Sequence, residues 1–155
     1  MNNLMFGGIL IVGIGAAAVG GAQLSSLGEP PFSYESATAE KRIAWLDGHA
    51  VKMERRVKGA LISPSGVGAS FKLDKTRTDS QRRQITFDIA VSGSGKITHQ
   101  AFRNFEKVYL ERECPRFMRT PLADNNVTVN YSFKRKTGGT VHTVRMSQGS
   151  CGRYV

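Results

Sequence analysis

Charge is absent from the first 28 of the 155 residues. All 22 Lys and Arg and all 12 Asp and Glu lie from Glu29 onward. A helix over residues 4–22 would be apolar on every side, which a single domain of this size has little means of burying. The absence therefore argues against a soluble N-terminal helix.

Chemistry-bearing groups are also scarce. The histidines His49, His99 and His142 stand alone, with no H-x-x-x-H or His/Cys grouping. The cysteines Cys114 and Cys151 lack C-x-x-C spacing. Zinc binding and thiol redox chemistry thus have no support, and neither a metal nor another cofactor is expected. No Ser-His-Asp or Cys-His signature appears. Glu106, Glu111 and Glu113 sit among Arg103, Lys107 and Arg112, so they read as a solvated helix face, with Glu106 paired to Arg103 and Glu111 to Lys107. The chain is expected not to be an enzyme.

One motif invites a nucleotide reading. Gly95-Lys96 lies between a strand-like run and a helix-like run, as in a phosphate-binding loop. Aligned to G-x-x-x-x-G-K-[ST], however, the first glycine is Ala90 and the hydroxyl position is Ile97. The preceding strand alternates Gln84, Thr86 and Asp88 with Ile85, Phe87 and Ile89, so one face is wet, unlike a buried central strand. Nucleotide is not an expected partner.

What is present begins with the uncharged run. Residues 4–22 match the length of a membrane-spanning helix. Two readings fit, an uncleaved anchor and a signal peptide cleaved after Gly20-Gly21-Ala22. Small residues before the site favour cleavage; the run's length and the lack of Lys or Arg in the first three residues favour the anchor. Gly13, Ala17 and Gly21, spaced by four, form a small-residue face suited to close helix packing. The paired cysteines suggest one Cys114–Cys151 disulfide and hence a domain outside the cytoplasm, tethered or periplasmic.

The organisation reads as residues 1–22 anchor or signal, 23–35 a linker containing Pro30-Pro31, and 36–155 a soluble domain. Ser36 caps a helix running to Lys58, with Ile43, Leu46, Ala50, Met53 and Val57 as its apolar stripe and Gly48 marking close packing on a sheet. Period-two runs place strands at Val67–Leu73 and Ile85–Val91, with Leu73 opposite Ile85, Phe71 opposite Phe87, and a polar loop from Thr76 to Arg82. Thr98 caps a second helix, with Phe102, Phe105 and Tyr109 as stripe, stopped at Pro115. Val127–Phe133 then pairs across Gly138-Gly139, with Phe133 opposite Val144 and Tyr131 opposite Met146. The expected fold is α+β: a two-layer sandwich of order αββαββ, a four-stranded antiparallel sheet covered by two helices, preceded by the transmembrane or signal helix.

The strongest compositional signal is basic charge, formally +10. Arg55, Arg56 and Lys58 end the first helix; Lys75, Arg77, Arg82 and Arg83 crowd the first hairpin; Lys134, Arg135 and Lys136 crowd the second. Such clusters attract anionic partners. The expected function is a membrane-tethered, periplasm-like interaction domain, an accessory subunit binding another membrane or envelope protein. The alternative is an exported binder of an anionic lipid surface or polymer. Nucleic acid is a weaker partner, because no aromatic row interleaves with the charges. Asn126-Val-Thr128 and Asn130-Tyr-Ser132 match the glycosylation sequon.

Overall fold

The computed structural model describes residues 31–60, 69–93, 98–137 and 139–155. The expected membrane or signal helix, its Gly13, Ala17 and Gly21 face, the start of the expected strand at Val67 and Gly95-Lys96 lie outside the described residues. Among the described residues no helix is long and apolar enough to cross a membrane.

The first stripe forms helix α1, Ala39–Ala60. Thr38, rather than Ser36, caps it: the Lys41 amide donates to Thr38 Oγ1 at 3.4 Å. Ser36 instead closes the preceding turn onto the Ser33 carbonyl. Leu46, Ala50 and Val57 are buried and Met53 half-buried, but Ile43 is 47% exposed. At that end Trp45 does the packing, stacked on Phe32 at 4.5 Å and edge-on to Tyr34 at 5.9 Å. Tyr34, grouped with the linker by composition, is buried. Its hydroxyl donates to the Ser80 carbonyl at 2.8 Å, and its amide donates to Asn125 Oδ1 at 2.7 Å. Gly48 does not approach the sheet. It lies about 200° around the helix from Leu46, is exposed, and a Cβ there would meet nothing within 4 Å.

The sheet is built from β1 Ser70–Asp79, β2 Gln84–Ser92, β3 Thr128–Arg135 and β4 Thr140–Met146, in the order β1-β2-β3-β4. Between β2 and β3 come α2, His99–Phe117, and the short α3, Pro121–Asp124. The sheet is mixed rather than antiparallel: β1–β2 and β3–β4 are antiparallel hairpins, but β2 and β3 run parallel. The reason is connectivity. The chain leaves β2, returns through α2, and so enters β3 from the end at which β2 began, as a crossover helix requires.

Both hairpin registers differ from expectation. Leu73 sits opposite Ile89 and Phe71 opposite Val91. The polar run after Leu73 is strand, not loop, because α1 satisfies it: Thr76 Oγ1 donates to Glu54 at 2.8 Å, and Thr78 Oγ1 donates to Asp47. The turn contracts to residues 80–83, where Arg83 takes a φ of 52°. A bulge at Asp74 keeps Leu73 and Thr76 on the same face. In the second hairpin Tyr131 faces Val144, Val129 faces Met146 and Phe133 faces His142. The connection is longer than two residues, closing through the Arg135 amide to the Gly139 carbonyl at 3.0 Å.

The core lies between one sheet face and the two helices. Ile85, Phe87, Ile89, Val129, Phe133 and Val144 supply the floor, and Phe102, Leu110, Cys114 and Phe117 of α2 the cover. Thr98 caps α2 as expected, accepting from the Ala101 amide at 3.2 Å. The helix passes through Pro115 to Phe117. A proline in the last turn removes one intrahelical bond only, and the Met118 amide still reaches the Cys114 carbonyl at 2.9 Å. Cys114 is disulfide-bonded to Cys151 in α4, Gln148–Cys151. Ser147 and Ser150 cap α4 reciprocally, which presents Cys151 to α2.

Candidate functional site: the open face of the sheet

Strand alternation sends the other set of side chains to the face away from the core. Register aligns them in rows across the sheet. Lys72, Ala90, Lys134 and Thr140 form one row; Lys75, Asp88, Ser132 and Thr143 the next; Arg77, Thr86, Asn130 and Arg145 the third. Ala90 is the only apolar member. Lys72, Lys75, Arg77, Thr143 and Arg145 are exposed, and among the described residues no helix covers them.

Asp88 stands at the centre and is 5% exposed. Arg77 donates to it twice, Nε to Oδ2 and Nη2 to Oδ1, each at 2.9 Å. Lys134 Nζ lies 2.9 Å from Oδ1 on the other side. Burial alone would raise the Asp88 pKa; the hydrogen bonds from Arg77 and Lys134, with their charge, outweigh it and hold the carboxyl below its ordinary value. Asp88 thereby fixes two cations across three strands. Asn130 and Ser132 are buried beneath the longer side chains, and Arg145 Nε donates to Asn130 Oδ1 at 3.4 Å. The result is a hydroxyl-rich surface on which Lys72, Lys75, Arg77, Lys134 and Arg145 share a face with Asp88 at its centre and, by alternation, Asp79 at the end of β1. It suits electrostatic docking to an anionic surface. It holds no aromatic side chain for base stacking.

The structure gathers three of the basic residues singled out by sequence, Lys75, Arg77 and Lys134, onto this face. It adds Lys72 and Arg145, which sequence clustering missed because they belong to the surface through period-two alternation. The others lie elsewhere. Arg55 and Arg56 are exposed on α1, across the sheet, where Lys58 pairs with Glu54 at 2.6 Å. Arg135, the last residue of β3, and Lys136, in the turn after it, are exposed. Arg82 is exposed in the β1–β2 turn, 3.8 Å from Asp79. Arg83 is structural: its guanidinium stacks 4.9 Å from the Tyr34 ring centre and donates to the Asn125 carbonyl at 3.3 Å.

Glu106 bonds His142 Nε2 at 2.9 Å instead of Arg103, which turns to Gln100. Arg103 lies one helical turn from Glu106, but β4 brings the His142 imidazole within hydrogen-bonding distance. Lys107 and Glu111 lie 3.9 Å apart, as the spacing predicts. His49 bonds the Trp45 carbonyl at 2.9 Å. Among the described residues no group of His, Cys, Asp or Glu is arranged to hold a metal ion. A cavity of about 60 Å³ lies between α1 and α2, lined by Val57, Phe105, Tyr109, Arg112 and Tyr131 among others. Burial raises the pKa of both tyrosines, so their hydroxyls stay protonated at neutral pH. Asn126 is exposed and Asn130 is buried, so only the first sequon offers its amide to solvent.

Comparison with protein-family models, curated proteins and solved structures finds no match for this chain.

Proposed function

We propose that the chain is a membrane-tethered, extracytoplasmic interaction domain, an accessory or structural subunit that docks an acidic region of another membrane or envelope protein on the open face of its sheet. The observation that carries this reading is the cationic sheet face, which no helix covers among the described residues. A sheet face with no apolar side chain larger than alanine needs no cover for stability. Two of its cations, Arg77 and Lys134, are held in place by Asp88, which reduces the ordering needed when an anionic surface arrives. The Cys114–Cys151 disulfide supports an oxidising compartment, and the uncharged run at residues 4–22 supports the tether.

Affinity purification from native membranes in mild detergent tests the reading. The expected result is co-purification with an integral membrane or envelope protein that carries an acidic exposed segment. Recovery of the chain alone would contradict it. N-terminal sequencing of the same material separates the tether from a cleaved signal, since a mature chain beginning near Gln23 would remove the tether.

A further inference from the structure

We propose that β1 is a docking edge at which an extended, acidic segment of the partner protein adds as a fifth strand. The inference rests on the interaction-domain reading above and specifies its mode of contact. β1 is the outermost strand and, among the described residues, pairs only with β2. Its other edge therefore presents backbone N–H and C=O groups that an incoming strand can satisfy.

Most cations of the open face belong to this strand, which also carries Asp74 and Asp79. Lys72, Lys75 and Arg77 all belong to β1, whereas β4, the opposite edge, contributes only Arg145, which is engaged with Asn130. Arg77 spends its inner fork on Asp88, but no ion pair engages Lys72 or Lys75 among the described residues. The core side of β1 is also incompletely covered. Phe71 and Leu73 pack against the core yet remain half-buried, Phe71 edge-on to Phe133 at 5.7 Å. β1 spans 10 residues against 7 for β4, so it offers the longer pairing run.

These features define the occupant. Directly opposed side chains on adjacent strands stand about 5 Å apart. A strand laid beside β1 would place alternate side chains next to Lys72, Lys75 and Arg77, where Glu or Asp fits. The intervening side chains would lie beside Phe71 and Leu73, where aliphatic residues complete the apolar layer. The bulge at Asp74 divides the pairing into runs at residues 70–73 and 75–79. A second copy of this chain is a poorer occupant, because its β1 is itself net positive, with Lys72, Lys75 and Arg77 against Asp74 and Asp79.

The test uses the full chain in detergent and an alternating Glu-Val octapeptide with blocked ends. Two twins carry N-methyl groups on every Glu or on every Val, which keeps the charge and side chains but removes one alternate set of backbone donors. The expected result is slowed amide exchange in residues 70–79 with residues 140–146 unchanged, and about tenfold weaker binding of one twin. Protection at β4, or no binding of the parent peptide at low salt, would overturn the proposal. Equal binding of all three peptides, abolished by high salt, would overturn strand addition while leaving the interaction-domain reading intact. Recovery of the chain without a partner from native membranes would remove that reading itself.

Discussion

Arg77 on β1 holds Asp88 on the neighbouring β2 with two parallel hydrogen bonds of 2.9 Å, and Lys134 on β3 closes on the same carboxylate at 2.9 Å. This contact ties three strands together on the face that has no hydrophobic core of its own. Removing its negative charge leaves two cations facing each other. Asp88→Asn is expected to destabilise the domain by about 1–2 kcal/mol, a figure kept modest because Arg77 remains largely in water. The pH dependence has a definite sign. The folded-state pKa of Asp88 lies below the ordinary carboxylate value, so its contribution is fully present above the unfolded pKa of about 3.9. It is lost as pH falls through the lower folded-state value. Urea unfolding at pH 7 and at progressively acid pH should show the wild-type advantage over Asp88→Asn shrinking below pH about 4.

The disulfide closes a loop with a sequence separation of 37. In the chain-entropy account such a closure stabilises by about 3–4 kcal/mol. Replacing Cys114 and Cys151 together with Ala should lower the urea midpoint accordingly, with loosening first at α4 and the C-terminal turn. Unchanged midpoints for the double variant would show that α2 and the C-terminus hold together without it.

Gly48 sits in an exposed helix interior with open space around it. Gly48→Ala should stabilise the domain by about 0.5–1 kcal/mol, through helix propensity and a less flexible unfolded chain. Thermal unfolding should shift upward by a few degrees. A loss of stability would mean that this position packs against something in the full chain.

The helices were legible because periodicity reports a buried face directly: Leu46, Ala50 and Val57 on α1, Phe102 on α2. The disulfide was legible from the parity of the cysteines. Strand direction was not. Alternation along Ile85–Val91 and Val127–Phe133 says which side chains are buried, not which way the neighbour runs, and only the course of α2 makes β2 and β3 parallel. Register failed for a related reason. Thr76 and Thr78 look like loop residues until Glu54 and Asp47, 22 and 31 positions earlier, are seen to accept their hydroxyls. The candidate site was half legible. Local clustering found Lys75, Arg77 and Lys134 but grouped them with turn and helix cations, and Arg83 proved to be stacked on Tyr34. Lys72 and Arg145 join the face only through the sheet.

The most direct measurement compares partner recovery from native membranes for three forms of the full chain: wild type, Lys72→Glu with Lys75→Glu on the open face, and Arg55→Glu with Arg56→Glu on α1. The two variants change the net charge equally, and none of the four side chains makes an ion pair among the described residues. If the open face docks the partner, the β1 variant should lose recovery by about tenfold or more while the α1 variant stays near wild type, and moderate salt should erase most of the wild-type signal. Equal recovery for the β1 variant and wild type, or a loss confined to the α1 variant, would contradict the account.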